Sequence, residues 1–211
     1  MITFSYNTDK DIENFLGSVK SVNSKKHTAS QLKYIEKYGE DFNKDNLSKF
    51  IQELTQGSDV YKVVSRIEDA WRKIESEFLR RVENIFGTFP QKNIVAFLTT
   101  NNRCTYNIDK GYFFVSIYSK SANRTIMHEL LHFYTWYAYG EKLMREGLSK
   151  EKYNDIKESL TIILNSDFAD LMEGAIDEGY PQHQEMRAEI NKLWLESRDM
   201  NKIFETMIAK K

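Results

Sequence analysis

Residues 126–135 read Ile-Met-His-Glu-Leu-Leu-His-Phe-Tyr-Thr, and this stretch decides how the rest of the chain is read. It sets three ionisable side chains, His128, Glu129 and His132, among Ile126, Met127, Leu130, Leu131, Phe133 and Tyr134. Burying such groups is costly unless each is paired or bound to something. On a helix, residues four apart differ by about 40° around the axis and stand one turn apart. His128 and His132 therefore reach toward one point, with Glu129 projecting on the adjoining face. Two neutral imidazoles so placed suit Zn²⁺, which keeps an open position when it is catalytic. The carboxylate is then placed to accept a proton from a water that the ion acidifies to a pKa of roughly 7. The chain has only His27, His128, His132 and His183, so two of them at this spacing around a glutamate argue for a metal site over a hydrogen-bonded core pair.

Working outward, Ser121 or Asn123 caps this helix, which lasts to about Tyr139 with Gly140 at its C-terminal end. Upstream, over residues 93–118, NIVAFLTT is rich in β-formers and Asn101-Asn102 reads as a turn. CTYNI and GYFFVSIYS then flank Asp109-Lys110-Gly111, a hairpin connection. These predict three strands of a small, mostly antiparallel sheet. Ile2, Phe4 and Tyr6 alternate with polar residues as a further short strand. Asp9 is read as the cap of a helix carrying Ile12, Phe15, Leu16 and Val19. Two short amphipathic helices follow, one with Leu32, Tyr34, Ile35 and Tyr38 ending at Gly39, the other with Leu47, Phe50, Ile51 and Leu54.

The longest apolar stripe includes Val60, Val64, Ile67, Trp71, Ile74, Phe78, Val82 and Ile85. It predicts one helix from about Val60 to Phe86, started by Ser58 or Asp59 and stopped by Gly87 and Pro90. After the strands the pattern is helical to the end. The fold class is α+β, with a small sheet early and helices dominating. A helical N-terminal region over 1–90 is expected to pack on a catalytic region over 91–211, in one compact domain.

Composition narrows the function. The formal net charge of −1 supplies no basic footprint for nucleic acid, and Lys25-Lys26-His27 is too short to make one. No apolar run is long enough to span a bilayer, so no membrane partner is expected. A single cysteine, Cys104, excludes an intramolecular disulfide framework and a cysteine-based zinc site alike. The opening MITFSYNTDKDI lacks a basic region followed by an apolar one, so a cytoplasmic location is expected. Nothing in the sequence indicates an oligomeric state.

His128-Glu129-Leu130-Leu131-His132 resembles the active-site helix of the zincin metallopeptidases, a likeness confined to this helix. The resemblance implies a zincin-like catalytic region, Zn²⁺ as cofactor and a peptide or protein as substrate. It also implies an edge strand just upstream that aligns the substrate, where GYFFVSIYS lies. Metzincins would need glycine where Thr135 stands and histidine where Ala138 stands. The gluzincin, thermolysin-type pattern remains, with a glutamate on a following helix as third ligand. Glu158 is that glutamate, with Glu173, Glu178 and His183 as alternatives.

Glu158 lies on a helix from about Lys150 to Leu164 whose apolar stripe is Tyr153, Ile156, Leu160, Ile163 and Leu164. It projects from another side, in line with Asn154, Thr161 and Asn165. Thermolysin-type enzymes place an aspartate one turn after the glutamate to support a metal-bound histidine. Here Ile162 stands there, so that support must come from elsewhere.

Residues 170–185, DLMEGAIDEGYPQHQE, read as a loop between helices. By the same resemblance, Tyr180 or His183 on it is the oxyanion donor, and Glu129 is the general base. The last helices carry Met186, Ile190, Leu193 and Trp194, then Ile203, Phe204, Met207 and Ile208, a face that completes the core or docks a partner. The expected activity is zinc-dependent peptide hydrolysis. Its rivals are a regulatory peptidase that cuts one partner protein, and a non-enzymatic interaction module with a structural or degenerate metal site.

Overall fold

The β-forming runs assemble into one four-stranded sheet. In the computed structural model, which describes residues 1–20, 27–57, 59–87 and 93–210, β1 is Ile2–Tyr6, β2 Ile94–Thr99, β3 Tyr106–Asn107 and β4 Tyr112–Ser116. Their order is β1-β2-β4-β3. β1 and β2 run parallel, with Ile2 opposite Ile94, and β2 and β4 run parallel, with Val95 opposite Tyr112. Only the short β3 is antiparallel to its neighbour, pairing Tyr106 with Phe113.

The sheet is therefore mixed, and the expectation of a mostly antiparallel one is corrected. The hairpin at Asp109-Lys110-Gly111 forms as its turn residues dictate. β4 then lies between β3 and β2, so two reversals of direction leave it parallel to β2. β1 and β2 are joined by a long helical crossover, the connection that parallel neighbours require. β4 is buried along its length and has a strand on each side. Tyr112–Ser116 is thus an interior strand, not the edge strand expected of GYFFVSIYS.

The helices are α1 (Thr8–Lys20), α2 (Ala29–Tyr38), α3 (Lys44–Thr55), α4 (Val60–Arg72), α5 (Glu75–Phe86), α6 (Ala122–Thr135), α7 (Glu141–Arg145), α8 (Lys150–Leu160), α9 (Leu164–Asp167), α10 (Gln184–Ser197) and α11 (Met200–Ala209). The cap of α1 is Asn7, whose Oδ1 accepts the Lys10 N–H at 3.0 Å, rather than Asp9. The single helix expected from Val60 to Phe86 is two. Ile74, at φ −117° and ψ −13°, departs from helical dihedrals although no glycine or proline marks the break. Gly87, at φ 89°, ends α5 as expected; Ser58 and Pro90 lie outside the described residues.

The chain forms two compact units, Met1–Arg72 with Gln91–Ala122, and Lys73–Pro90 with Asn123–Lys211. The chain passes from one unit to the other after Arg72, after Pro90 and after Ala122. The first unit holds the sheet and α1 to α4, with Ile12, Phe15, Tyr34, Leu47, Phe50 and Ile51 as a core cluster. Within it the buried Asp11 accepts the Thr100 N–H at 3.0 Å and the Thr99 and Thr100 hydroxyls at 2.5 and 2.9 Å, tying α1 to the end of β2.

The second unit is helical. The Phe78 and Phe168 rings meet at 5.2 Å, and Ile156, Leu160, Ile163 and Ile190 are buried. Tyr139 stacks on Phe204 at 4.3 Å, and Ile203 and Met207 are buried, so the apolar face of α11 completes this core. Among the described residues no helix is long and apolar enough to cross a membrane.

Candidate metal centre

The site lies within the second unit. α6 does not stop at Tyr139. A π-helical turn, Trp136–Gly140, carries it into α7, so Gly140 is a helix-interior residue at φ −58° and not a C-terminal cap. Close approach explains the glycine. A Cβ there would lie 2.8 Å from the Tyr153 hydroxyl and would run into the Trp136 indole, which itself packs edge-on against Tyr153 at 5.5 Å. That contact brings α8 against the end of the motif helix.

α8 starts at Ser149, whose side chain accepts the Lys152 N–H, and continues through a 3-10 turn, Thr161–Ile163, into α9. The expected stripe of Tyr153, Ile156, Leu160, Ile163 and Leu164 is buried. The line of Glu158, Thr161 and Asn165 on another side is not a solvated face; each of these residues takes part in the site.

His128 Nε2 lies 3.7 Å from Glu158 Oε2, and His132 Nε2 lies 3.5 Å from Glu158 Oε1. The ligand atoms of the three residues all fall within 4.8 Å of one another. Donor atoms around a tetrahedral Zn²⁺ with bonds of about 2.0–2.1 Å stand roughly 3.3 Å apart, so a small cation fits with little adjustment. Glu158 Oε2 is buried without a hydrogen-bond partner, an orphaned acceptor of the kind that a cation satisfies. Glu129 is buried beside the histidines, and its Oε2 likewise has no partner.

The support that Ile162 does not give comes from Asp177, whose Oδ2 lies 2.7 Å from His128 Nδ1. This commits Nδ1 and leaves Nε2 to face Glu158. Asp177 is itself clamped. Its N–H donates to Asn165 Oδ1 at 2.8 Å, and its carbonyl accepts from Asn165 Nδ2 at 2.9 Å. Thr161 Oγ1 lies 2.8 Å from Asp177 Oδ1. The buried Arg187 donates to Asp177 Oδ1 at 3.0 Å, to the Asp177 carbonyl and to Thr161 Oγ1. Gly179, at φ +63°, makes room for this: a Cβ there would stand 2.5 Å from the Arg187 guanidinium.

These contacts set the charges. Burial disfavours charge on His128, but Asp177 and Glu158 outweigh it and push its pKa up to about 10. His132 goes the other way, to about 3, through burial and the nearby Lys157. Burial acts on Glu158 too, yet His132, His128 and Lys157 hold it well below the usual carboxylate range. Burial pushes Glu129 up to about 7, against the partial opposition of His128. A cation at the three ligand atoms would take the place of the His128 proton on Nε2, because Nδ1 is held by Asp177.

Of the two oxyanion donors expected, His183 is buried with Nε2 3.1 Å from Asp155 Oδ1, whereas Tyr180 is half exposed and meets the His183 ring edge-on. Glu173 and Glu178 are exposed, and neither belongs to the cluster.

Three residues escaped the sequence reading: Asp177, Arg187 and Lys157. Two of them had a signal. Arg187 shares a helical stripe with Ile190 and Trp194, and Lys157 lies beside Ile156 one turn from Tyr153 and Leu160, so each is a cation on a buried face. Asp177 lies in a loop, where no periodicity distinguishes it from Asp170, Glu173 or Glu178.

Comparison with known proteins finds no match: no family model, no curated protein and no solved structure is similar to the chain.

Proposed function

We propose that the protein is a zinc-dependent peptidase with a gluzincin-like site and a zincin-like catalytic region, acting on a peptide or protein. The observation that carries the reading is the convergence of His128, His132 and Glu158 on one point, with Glu129 adjoining. His128, His132 and Glu158 would hold the ion. When bound, Zn²⁺ supplies a Lewis acid for the amide carbonyl and lowers the pKa of a water to roughly 7.

The rest is the work of the chain. Glu129 takes the proton of the attacking water and delivers it to the departing amine. Asp177 fixes the tautomer and orientation of His128. Tyr180 or His183 is the oxyanion donor; the Nε2 of His183 is committed to Asp155, while its buried Nδ1 has no hydrogen-bond partner.

The test is Glu129→Gln. The variant is expected to keep its fold and about one zinc per chain by elemental analysis, while cleavage of a peptide library falls by roughly 10²–10⁴. No zinc in the wild type, or equal cleavage by both forms, overturns the proposal. Cleavage of a co-purifying protein alone would make it a peptidase dedicated to one partner.

A further inference from the structure

We propose that Lys157 is a positioning residue of the metal centre, which holds Glu158 to ligation through one oxygen and lowers the affinity of the site for its cation. The inference rests on the reading of His128, His132 and Glu158 as metal ligands.

Lys157 Nζ lies 2.9 Å from Glu158 Oε1, and its side chain is only 2% exposed. The contact engages Oε1, which also faces His132 Nε2 at 3.5 Å, and leaves Oε2, buried and without a hydrogen bond, facing His128 Nε2. The position is one that packing alone would give to a hydrocarbon, beside Ile156 and one turn from Tyr153 and Leu160, all buried. An ammonium there is costly unless a negative charge compensates it, and Glu158 is in place to do so.

The consequence for a divalent cation follows from Coulomb's law at low dielectric. Lys157 already neutralises the one carboxylate among the three ligands, and its own charge repels the ion. A cation held by the three residues would consequently bind less tightly than it would without Lys157.

The experiment is titration of Zn²⁺ into the full-length protein against a chromogenic chelator, for wild type and Lys157→Gln, Lys157→Met and Lys157→Arg. Circular dichroism and thermal unfolding of each variant confirm folding. Gln retains a hydrogen bond to Glu158 without the charge, and Met retains the bulk. Both are expected to bind zinc at least about tenfold more tightly than wild type, with Arg remaining within about threefold of it. Folded neutral variants that bind zinc equally or more weakly overturn the role of Lys157 alone. So does loss of folding in both, which would assign Lys157 to the core. A wild type that takes up no zinc overturns the inference together with the metal reading.

Discussion

Asp177 holds His128 by a 2.7 Å hydrogen bond across 49 residues of sequence, the carboxylate on a loop and the imidazole on the motif helix. The position one turn past Glu158 is Ile162, so the carboxylate that orients His128 comes from the loop before α10 and not from the helix that carries Glu158. Partners of this kind typically matter to metal affinity by roughly 10–100-fold. Asp177→Asn should weaken zinc binding by about that factor, as read by chelator competition. Unchanged affinity would show that His128 is oriented by something else.

Acid stability tests the same carboxylate without metal. Burial opposes its ionisation, but the His128 hydrogen bond prevails and holds the pKa at about 2, against an ordinary 3.8. The folded value lies below the unfolded one, so as pH falls the unfolded chain takes up the proton first. The stability that Asp177 contributes is therefore complete above about pH 4 and lost between about 4 and 2. It amounts to something on the order of 2 kcal/mol. Urea unfolding of the metal-free protein should show a shallower pH slope over that interval in Asp177→Asn than in wild type.

Gly179→Ala probes the clamp from behind. The new methyl would strike the Arg187 guanidinium at 2.5 Å and would also require φ +63° of an alanine. Displacing Arg187 releases Asp177 Oδ1 and leaves a buried guanidinium underbonded. A loss of about 3 kcal/mol or more in unfolding free energy is expected, with weaker zinc binding alongside. An alanine variant as stable as wild type would mean that Arg187 has another place to go.

Gly140→Ala opposes two effects of known size. Helix propensity favours alanine by about 1 kcal/mol, whereas forcing Trp136 and the Tyr153 hydroxyl apart costs about 1–3 kcal/mol. The contact involves a fused ring and a second aromatic, which do not bend aside, so the net should be destabilising. Thermal unfolding should shift down by a few degrees; an upward shift would show that the π-helical turn relaxes into ordinary helix.

In the sheet-bearing unit, Asp11→Ala would leave the Thr100 N–H and two hydroxyls without their buried acceptor. The expected cost is on the order of 3 kcal/mol. Asp11→Asn keeps the shape and should cost less. Equal losses in both would mean that the charge, not the hydrogen bonding, is what the network uses.

These residues also show what sequence makes legible. The motif helix could be read because the spacing of His128 and His132 is a local property of any helix. Glu158 could be singled out only because the resemblance of the motif asks for a glutamate on a following helix; its place off the apolar stripe reads equally well as a solvated face. Strand order could not be read, since the placement of β4 between β2 and β3 depends on partners far along the chain. The break at Ile74 has no glycine, proline or capping side chain to announce it, and Gly140 imitates a helix terminator while serving as a packing gap. Asp177 could not be chosen among its acidic neighbours, because what distinguishes it is the arrival of Asn165, Thr161 and Arg187 around it.

The interleaving of the two units has a consequence for synthesis. Phe78 on α5 packs against Phe168, and Arg81 on the same helix pairs with Asp170, partners translated long after the helix has left the ribosome. In between, the chain must lay down β2, β3 and β4, which belong to the other unit. The newborn α5 therefore waits with an oily flank exposed while a different body is completed, an interval in which aggregation competes with folding. Neither unit can be excised as one continuous fragment, and a cut between 90 and 91 would divide both.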